Sequence, residues 1–267
     1  MRAYLAAFRI RLASRLQYRA AAIAGIATQV FWGFLVIMVF EAFYRSDPAA
    51  STMTIAQMAS YVWLQQAFLT FVMLWFRDAE LFELITSGNV AYELCRPRSV
   101  YATWYAKLAA QRVAAAALRC PPILVLASFL PEPYRLSPPE SPAALALFVA
   151  AIALGLLVQV AISMFIYILT FVTMQPYATT IFFATVGEFL AGMIIPIPLM
   201  PPALARIALA LPFRLASDLP FRIWSGHIPI DDALYGLVSQ VAWIAALVAL
   251  GALCMRGILR RASINGG

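Results

Sequence analysis

Apolar runs long enough to cross a lipid bilayer recur along nearly all of this 267-residue chain, and no other feature narrows its fold as much. A helix that spans the hydrocarbon core needs about 20 predominantly apolar residues. Runs close to that length occupy 20–40, 55–76, 101–130, 143–174, 178–195 and 233–255. They predict an all-α integral membrane protein with six transmembrane helices in one transmembrane domain covering 1–267. Charged residues supply 12% of the chain, about half the share usual in soluble domains. Nothing of soluble character remains that could hold a catalytic or ATP-binding domain, so such a domain is expected on another chain.

The net charge of +7 is distributed for a membrane rather than for nucleic acid. Arg2, Arg9, Arg11, Arg15 and Arg19 crowd the start, and Arg256, Arg260 and Arg261 crowd the end. Basic residues flanking spans mark cytoplasmic ends, so both termini are expected in the cytoplasm, with Arg45, Arg135, Arg206, Arg214 and Arg222 outside. The location expected is the bacterial cytoplasmic membrane. A cleavable signal peptide is not expected, because the first apolar run is of spanning length. Cys95, Cys120 and Cys254 lack metal-ligand spacing and are expected as reduced packing residues. No Walker A loop, Rossmann glycine fingerprint or HExxH pair is present. A hydrolase would have to be built on the single histidine, His227. Neither enzymatic activity nor a cofactor or metal is expected.

Taken in order, 1–19 reads as an interfacial helix, with Leu5, Phe8, Leu12 and Leu16 in one stripe flanked by arginines. Gln65 and Gln66 lie in the second run, where glutamines usually face other helices. The third run opens on Tyr101, Trp104 and Tyr105 as an aromatic belt and carries Arg119 before Pro121 and Pro122. Glu188 sits midway along the fifth run. Ionisable residues inside a span are costly and mark function by default, although Arg119 could equally snorkel or pair structurally. Gln65, Gln66, Arg119 and Glu188 are the candidates for a translocation path or a seam between two copies. Prolines 196, 198, 201, 202, 212, 220 and 229 then cut 196–232 into pieces too short to cross a bilayer. An exterior re-entrant hairpin is expected there.

The exception to this apolar pattern is 77–98, within a polar loop expected over 77–100. It holds Asp78, Glu80, Glu83 and Glu93, four of the twelve acidic residues, with Arg77, Arg96 and Arg98. Each charge would cost about 2.5 to 3.5 kcal/mol in hydrocarbon, so the loop faces water. Residues 79–86 have helical composition, with Leu81, Leu84 and Ile85 spaced along one face. Gly88 stops that helix, and a second short helix is expected over 90–95, ended by Pro97. Such a helix–Gly–helix element suits docking by a soluble partner; the plainer reading is a solvated loop.

Two short patterns carry a family resemblance. Ile85-Thr86-Ser87-Gly88-Asn89-Val90 followed by Leu94-Cys95-Arg96-Pro97 resembles the I-x-S-G-x-I, L-L-R-P loop of small type-2 ABC exporter permeases. Cys95 stands where leucine is common. Gly192-Met193-Ile194-Ile195-Pro196 with Leu211-Pro212-Phe213 resembles the G-x-x-x-P, L-P-F exit hairpin of the same family. The order of elements resembles that family along essentially the whole chain. The resemblance implies a half-transporter that works with a second permease, identical or related, and with two soluble ABC ATPase subunits in a lipid membrane. It makes 79–97 the coupling element, with Glu80, Leu81, Glu83, Leu84, Ile85, Gly88, Arg96 and Pro97 at the ATPase. Gly192, Pro196, Pro212 and Phe213 become the exit hairpin, and the substrate is expected to be amphipathic, lipid-like or drug-like. The alternative expectation is an ion-coupled secondary transporter using Glu188 and Arg119 as a relay.

Overall fold

The computed structural model describes residues 2–15, 19–46 and 52–265, and no β-strand occurs among them. The chain opens on α1 (Arg2–Arg15), and its long helices are α2 (Arg19–Ser46), α7 (Val100–Ser128), α8 (Pro142–Thr173) and α12 (Ile230–Asn265). Shorter pieces are α3 (Ile55–Ala67), α4 (Leu69–Val72), α5 (Ala79–Thr86), α6 (Val90–Leu94), α9 (Pro176–Leu190), α10 (Pro202–Ala210) and α11 (Asp218–Trp224). Among the described residues four helices, within α2, α7, α8 and α12, are long and apolar enough to cross a membrane. The chain is therefore an all-α, membrane-embedded protein.

Helix starts follow local capping chemistry. Ser99 and Ser141 accept hydrogen bonds from Ala102 and Ala144 at the heads of α7 and α8, and Thr54 with Gln57 closes a capping box on α3. The centre of the fold is α8, packed by α12, α11, α7 and α9. Around it lie Trp63, Trp104, Tyr61, Tyr167 and Phe221, each under 2% exposed. Gln240 of α12 donates to the carbonyls of Ala151 and Leu215, tying α12 to α8 and to the 3₁₀ turn Pro212–Ala216. The outer faces of α2 and α12 keep large apolar side chains exposed, among them Phe31, Met38, Val238 and Leu253, as lipid-facing helices do.

Two of the expected spans are shorter than their apolar runs. At 1.5 Å per residue, the 13 residues of α3 and the 15 of α9 do not reach across about 30 Å of hydrocarbon. The fifth run stops at Leu190 because Gly192 takes a left-handed φ of 76°. Gly192 and Met193 then donate back to the carbonyls of Phe189 and Glu188, the bonding of a Schellman cap. The second run breaks at Phe68 and again at Met73, whose ψ of 139° is extended. In α7, by contrast, Pro121 and Pro122 are accommodated within one continuous helix. The segment 196–232 is cut as its prolines require, into helical pieces of 3, 9, 5 and 7 residues before α12 begins at Ile230.

Candidate functional site

The break in the second apolar run is filled by side chains from four other helices. Between Ala67 and Asp78 the backbone gives up most of its helical hydrogen bonds, keeping only the single turn α4. Buried backbone groups need hydrogen-bond partners once helical bonding is given up. Each partner here is specific. Gln29 Nε2 donates to Gln66 O at 3.0 Å, and Cys120 Sγ to Ala67 O at 2.7 Å. Gln159 Nε2 donates to Val72 O, and Gln111 Nε2 to Arg77 O at 3.3 Å. Glu188 accepts from the amide of Leu74 at 3.2 Å, and Tyr167 Oη accepts from the amide of Asp78 at 2.8 Å.

Arg112 is the hub. Its Nη1 donates to the carbonyls of Thr70 (2.9 Å), Phe71 (3.1 Å) and Met73 (2.9 Å). Its Nη2 donates to Phe76 O (3.4 Å) and Ser163 Oγ (2.9 Å). The guanidinium stands 5.6 Å from the centre of the Phe76 ring, and the residue is 1% exposed. It forms no ion pair among the described residues; carbonyl dipoles at the end of α4 take the charge instead. A planar fork of five donors suits this task, which an ammonium could fill only in part.

The unwound segment runs directly into the charged loop. Asp78, fully buried, caps α5 by accepting from Glu80 N at 3.1 Å and pairs with Arg11 of α1. Arg11 also reaches Glu80 at 2.5 Å, and Lys107 of α7 stands 3.6 Å from the same carboxylate. Partial burial pushes the Glu80 carboxyl up, but hydrogen bonding and charge from Arg11, then Lys107, outweigh it and hold the group below the usual carboxylate range. A carboxylate held low in the folded state contributes docking that is complete above its ordinary range and lost as pH falls through the depressed value. Amide exchange of α1, read by mass spectrometry, is therefore expected to show constant opening at neutral pH and increased opening only below the ordinary value of 4.5. Increased opening already at neutral pH would show that Glu80 does not hold α1.

The structure keeps the expected helix bounds 79–86, while α6 ends at Leu94, a residue short of the expected 95. It reverses one expectation: the apolar face of α5 is spent inside the chain. Leu81 and Ile85 are 0% and 3% exposed, Leu84 is half-buried, and the Phe82 ring lies 4.5 Å from that of Tyr167 on α8. What the loop shows to solvent is Glu83, Thr86 to Asn89, Tyr92, Leu94, Arg96 and Pro97. Arg96 pairs with Glu93 at 3.2 Å. Gly88 sits at φ 76° with nothing within 4 Å of a Cβ placed there.

Gln65 donates to Met193 O beside the cap of α9, and Gln66 is buried with its carbonyl held by Gln29. Gly192 accepts from Tyr61 Oη at 3.3 Å, Pro196 and Pro212 are buried, and Phe213 lies against Gly187 of α9. Glu188 and Arg119 are not brought together. The Arg119 guanidinium lies against Gly25 of α2, where a Cβ would stand 2.8 Å from its Cζ, and it has no hydrogen bond or ion pair among the described residues. Arg119 thus takes no part in the cluster around the break, which is organised by Arg112, the other arginine of the same helix. Arg112, Gln111 and Gln159 were the signal to follow, as polar side chains within otherwise apolar runs.

No three His, Cys, Asp or Glu side chains converge among the described residues. The chemistry of the site is non-covalent: it holds open a helix that would otherwise close, and it joins that opening to a charged loop. No protein-family model matches the chain and no curated protein matches it, so what this site does is argued from its geometry.

Proposed function

We propose that this chain is the transmembrane permease subunit of an ATP-driven exporter of the type-2 ABC class. It moves an amphipathic, lipid-like or drug-like substrate from the cytoplasm or inner leaflet, working with soluble ATPase subunits and a second permease in the bacterial cytoplasmic membrane. The observation that carries this reading is the direct continuity between the exposed α5–Gly88–α6 tip and the side-chain-held break at 67–78. Leu81, Phe82 and Ile85 bolt α5 onto the body, so a force applied at the tip passes to α8 and to the Arg112 cluster. The exposed residues Glu83, Gly88, Tyr92, Leu94 and Arg96 are left for the ATPase to grip. In this reading α3 with α4 makes the second of six crossings and α9 the fifth, both ends are cytoplasmic, and 196–232 is an exterior re-entrant hairpin. Hydrolysis belongs to the partner; this chain alone hydrolyses no ATP.

The test is co-purification of a soluble ABC ATPase with this chain from its native membrane. With open space around Gly88, Gly88→Val costs only backbone strain, about 1–2 kcal/mol, while Gly88→Asn is tolerated in the left-handed region. Glu83→Arg reverses a charge at the exposed rim. Gly88→Val and Glu83→Arg are expected to fold as the parent does and to lose co-purified ATPase and substrate-stimulated hydrolysis by about tenfold or more, the effect of 1.4 kcal/mol or more. Gly88→Asn keeps both. If the valine and arginine variants match the parent, the exporter reading is lost.

One observation favours the ion-coupled alternative: a discontinuous helix facing a carboxylate is a common secondary-transporter layout, and Glu188 faces the break. The separation of Arg119 from Glu188 weighs against it. Transport driven by a proton gradient in ATP-free vesicles would select it.

A further inference from the structure

The cavity between α1, the end of the charged loop and the head of α7 is not used by the linkage described above. It measures about 530 Å³. Its lining is basic at Arg11, Arg96, Arg98 and Lys107 and apolar at Ala6, Ala7 and Ile10, where α1 forms a wall. Four cations face one carboxylate, Glu80, which is already occupied by Arg11 and Lys107. Asp78 and Glu93 are the other acids nearby, engaged with Arg11 and Arg96. Arg98 is half-buried and has no ion pair or side-chain hydrogen bond among the described residues. A guanidinium placed this way, beside a lysine and a second arginine, meets the geometric demand of a phosphate group.

The apolar wall decides which phosphate. Ile10 is 72% exposed and Leu5, five residues before it, 59%. Exposed large apolar side chains on a basic helix that packs on the head of a membrane-spanning helix mark the level of the lipid headgroups. There, glycerol and upper acyl carbons can lie on Ala6 and Ile10 while the phosphate reaches Arg98. A zwitterionic headgroup would bring its own ammonium up against Lys107 and Arg96, whereas an anionic headgroup would not. We infer that this cavity is a binding site for one anionic phospholipid, its phosphate held by Arg98 with Lys107 and its glycerol end resting on α1. The inference requires a membrane-embedded chain but no exporter.

The experiment uses the purified full chain without any ATPase, in nanodiscs of phosphatidylcholine with and without phosphatidylglycerol, and counts retained lipids by native mass spectrometry. One phosphatidylglycerol per chain is expected to be retained in preference to phosphatidylcholine. Combining Arg98→Gln with Lys107→Gln lowers that retention about tenfold, as losing a hydrogen bond to a charged group does. Arg98→Lys keeps most of it, and Arg206→Gln, at an exposed site on α10, keeps all of it. Equal retention of the two lipids by the parent overturns the inference without reliance on any variant. Displacement of the lipid by millimolar inorganic phosphate shows a free-anion site and overturns the lipid assignment. If the glutamine variants retain phosphatidylglycerol as the parent does, these side chains do not hold the lipid and the inference fails. A failed co-purification test at Gly88 leaves all of these outcomes unchanged.

Discussion

Replacing Arg112 by leucine is expected to destabilise the chain by about 3 to 5 kcal/mol, because several buried carbonyls lose one shared donor. Leucine returns the cost of burying a cation but leaves the carbonyls of Thr70, Phe71, Met73 and Phe76 without the donor they now share. Each buried group left unsatisfied costs about 1–3 kcal/mol. Arg112→Lys retains the charge and not the fork, so it recovers only part of the loss. The control is Arg119→Leu, one helix face shared and two turns on. That guanidinium has no hydrogen-bond partner among the described residues, and its loss is expected to cost under about 1 kcal/mol. Unfolding in denaturant followed by tryptophan fluorescence separates the two, since Trp63 and Trp104 are fully buried in the adjoining core. If Arg112→Leu and Arg119→Leu lie within about 0.5 kcal/mol of each other, the broken helix is not held by Arg112.

The second large effect is expected at Asp78. Asp78→Ala removes the cap of α5, worth about 1 kcal/mol, and deprives Arg11 of its fully buried partner. Breaking a buried pair costs about 3–5 kcal/mol, and the lower figure applies because the Arg11 side chain is 16% exposed and can turn to water. The consequence is local: α1 separates from the loop while the body of the protein stays folded. Tryptic cleavage after Arg9 in α1 should accelerate about a hundredfold, the equivalent of close to 3 kcal/mol. Glu132→Ala supplies the contrast, because it and its partner Arg135 are 68% and 43% exposed and such pairs are worth at most about 1 kcal/mol. An unchanged cleavage rate in Asp78→Ala would mean that α1 is held without Asp78, by the Arg11–Glu80 pair and packing on α7.

What can be read from the residues is whatever depends on near neighbours in the chain. The apolar runs place α7 and α8 within a few residues of their ends. The charges, Gly88 and Pro97 locate α5 and α6 because a helix stop is decided by one or two residues. Glycine and proline likewise explain why 196–232 is divided. The break in the second run has no such mark, since 55–76 contains neither glycine nor proline. Its helical hydrogen bonds are replaced by donors and acceptors from 34 to 114 residues away, with Gln111 the nearest in sequence and Glu188 the farthest. Nor does the helical periodicity of α5 say whether Leu81 and Ile85 meet a partner or Tyr167. The sequence by itself determined an all-α membrane chain and the local outline of its polar loop, because main-chain hydrogen bonds in a helix close within four residues. Only the tertiary structure decided where a helix gives way and which way the loop turns its apolar face, because both depend on which side chains converge once α2, α7, α8 and α9 are packed.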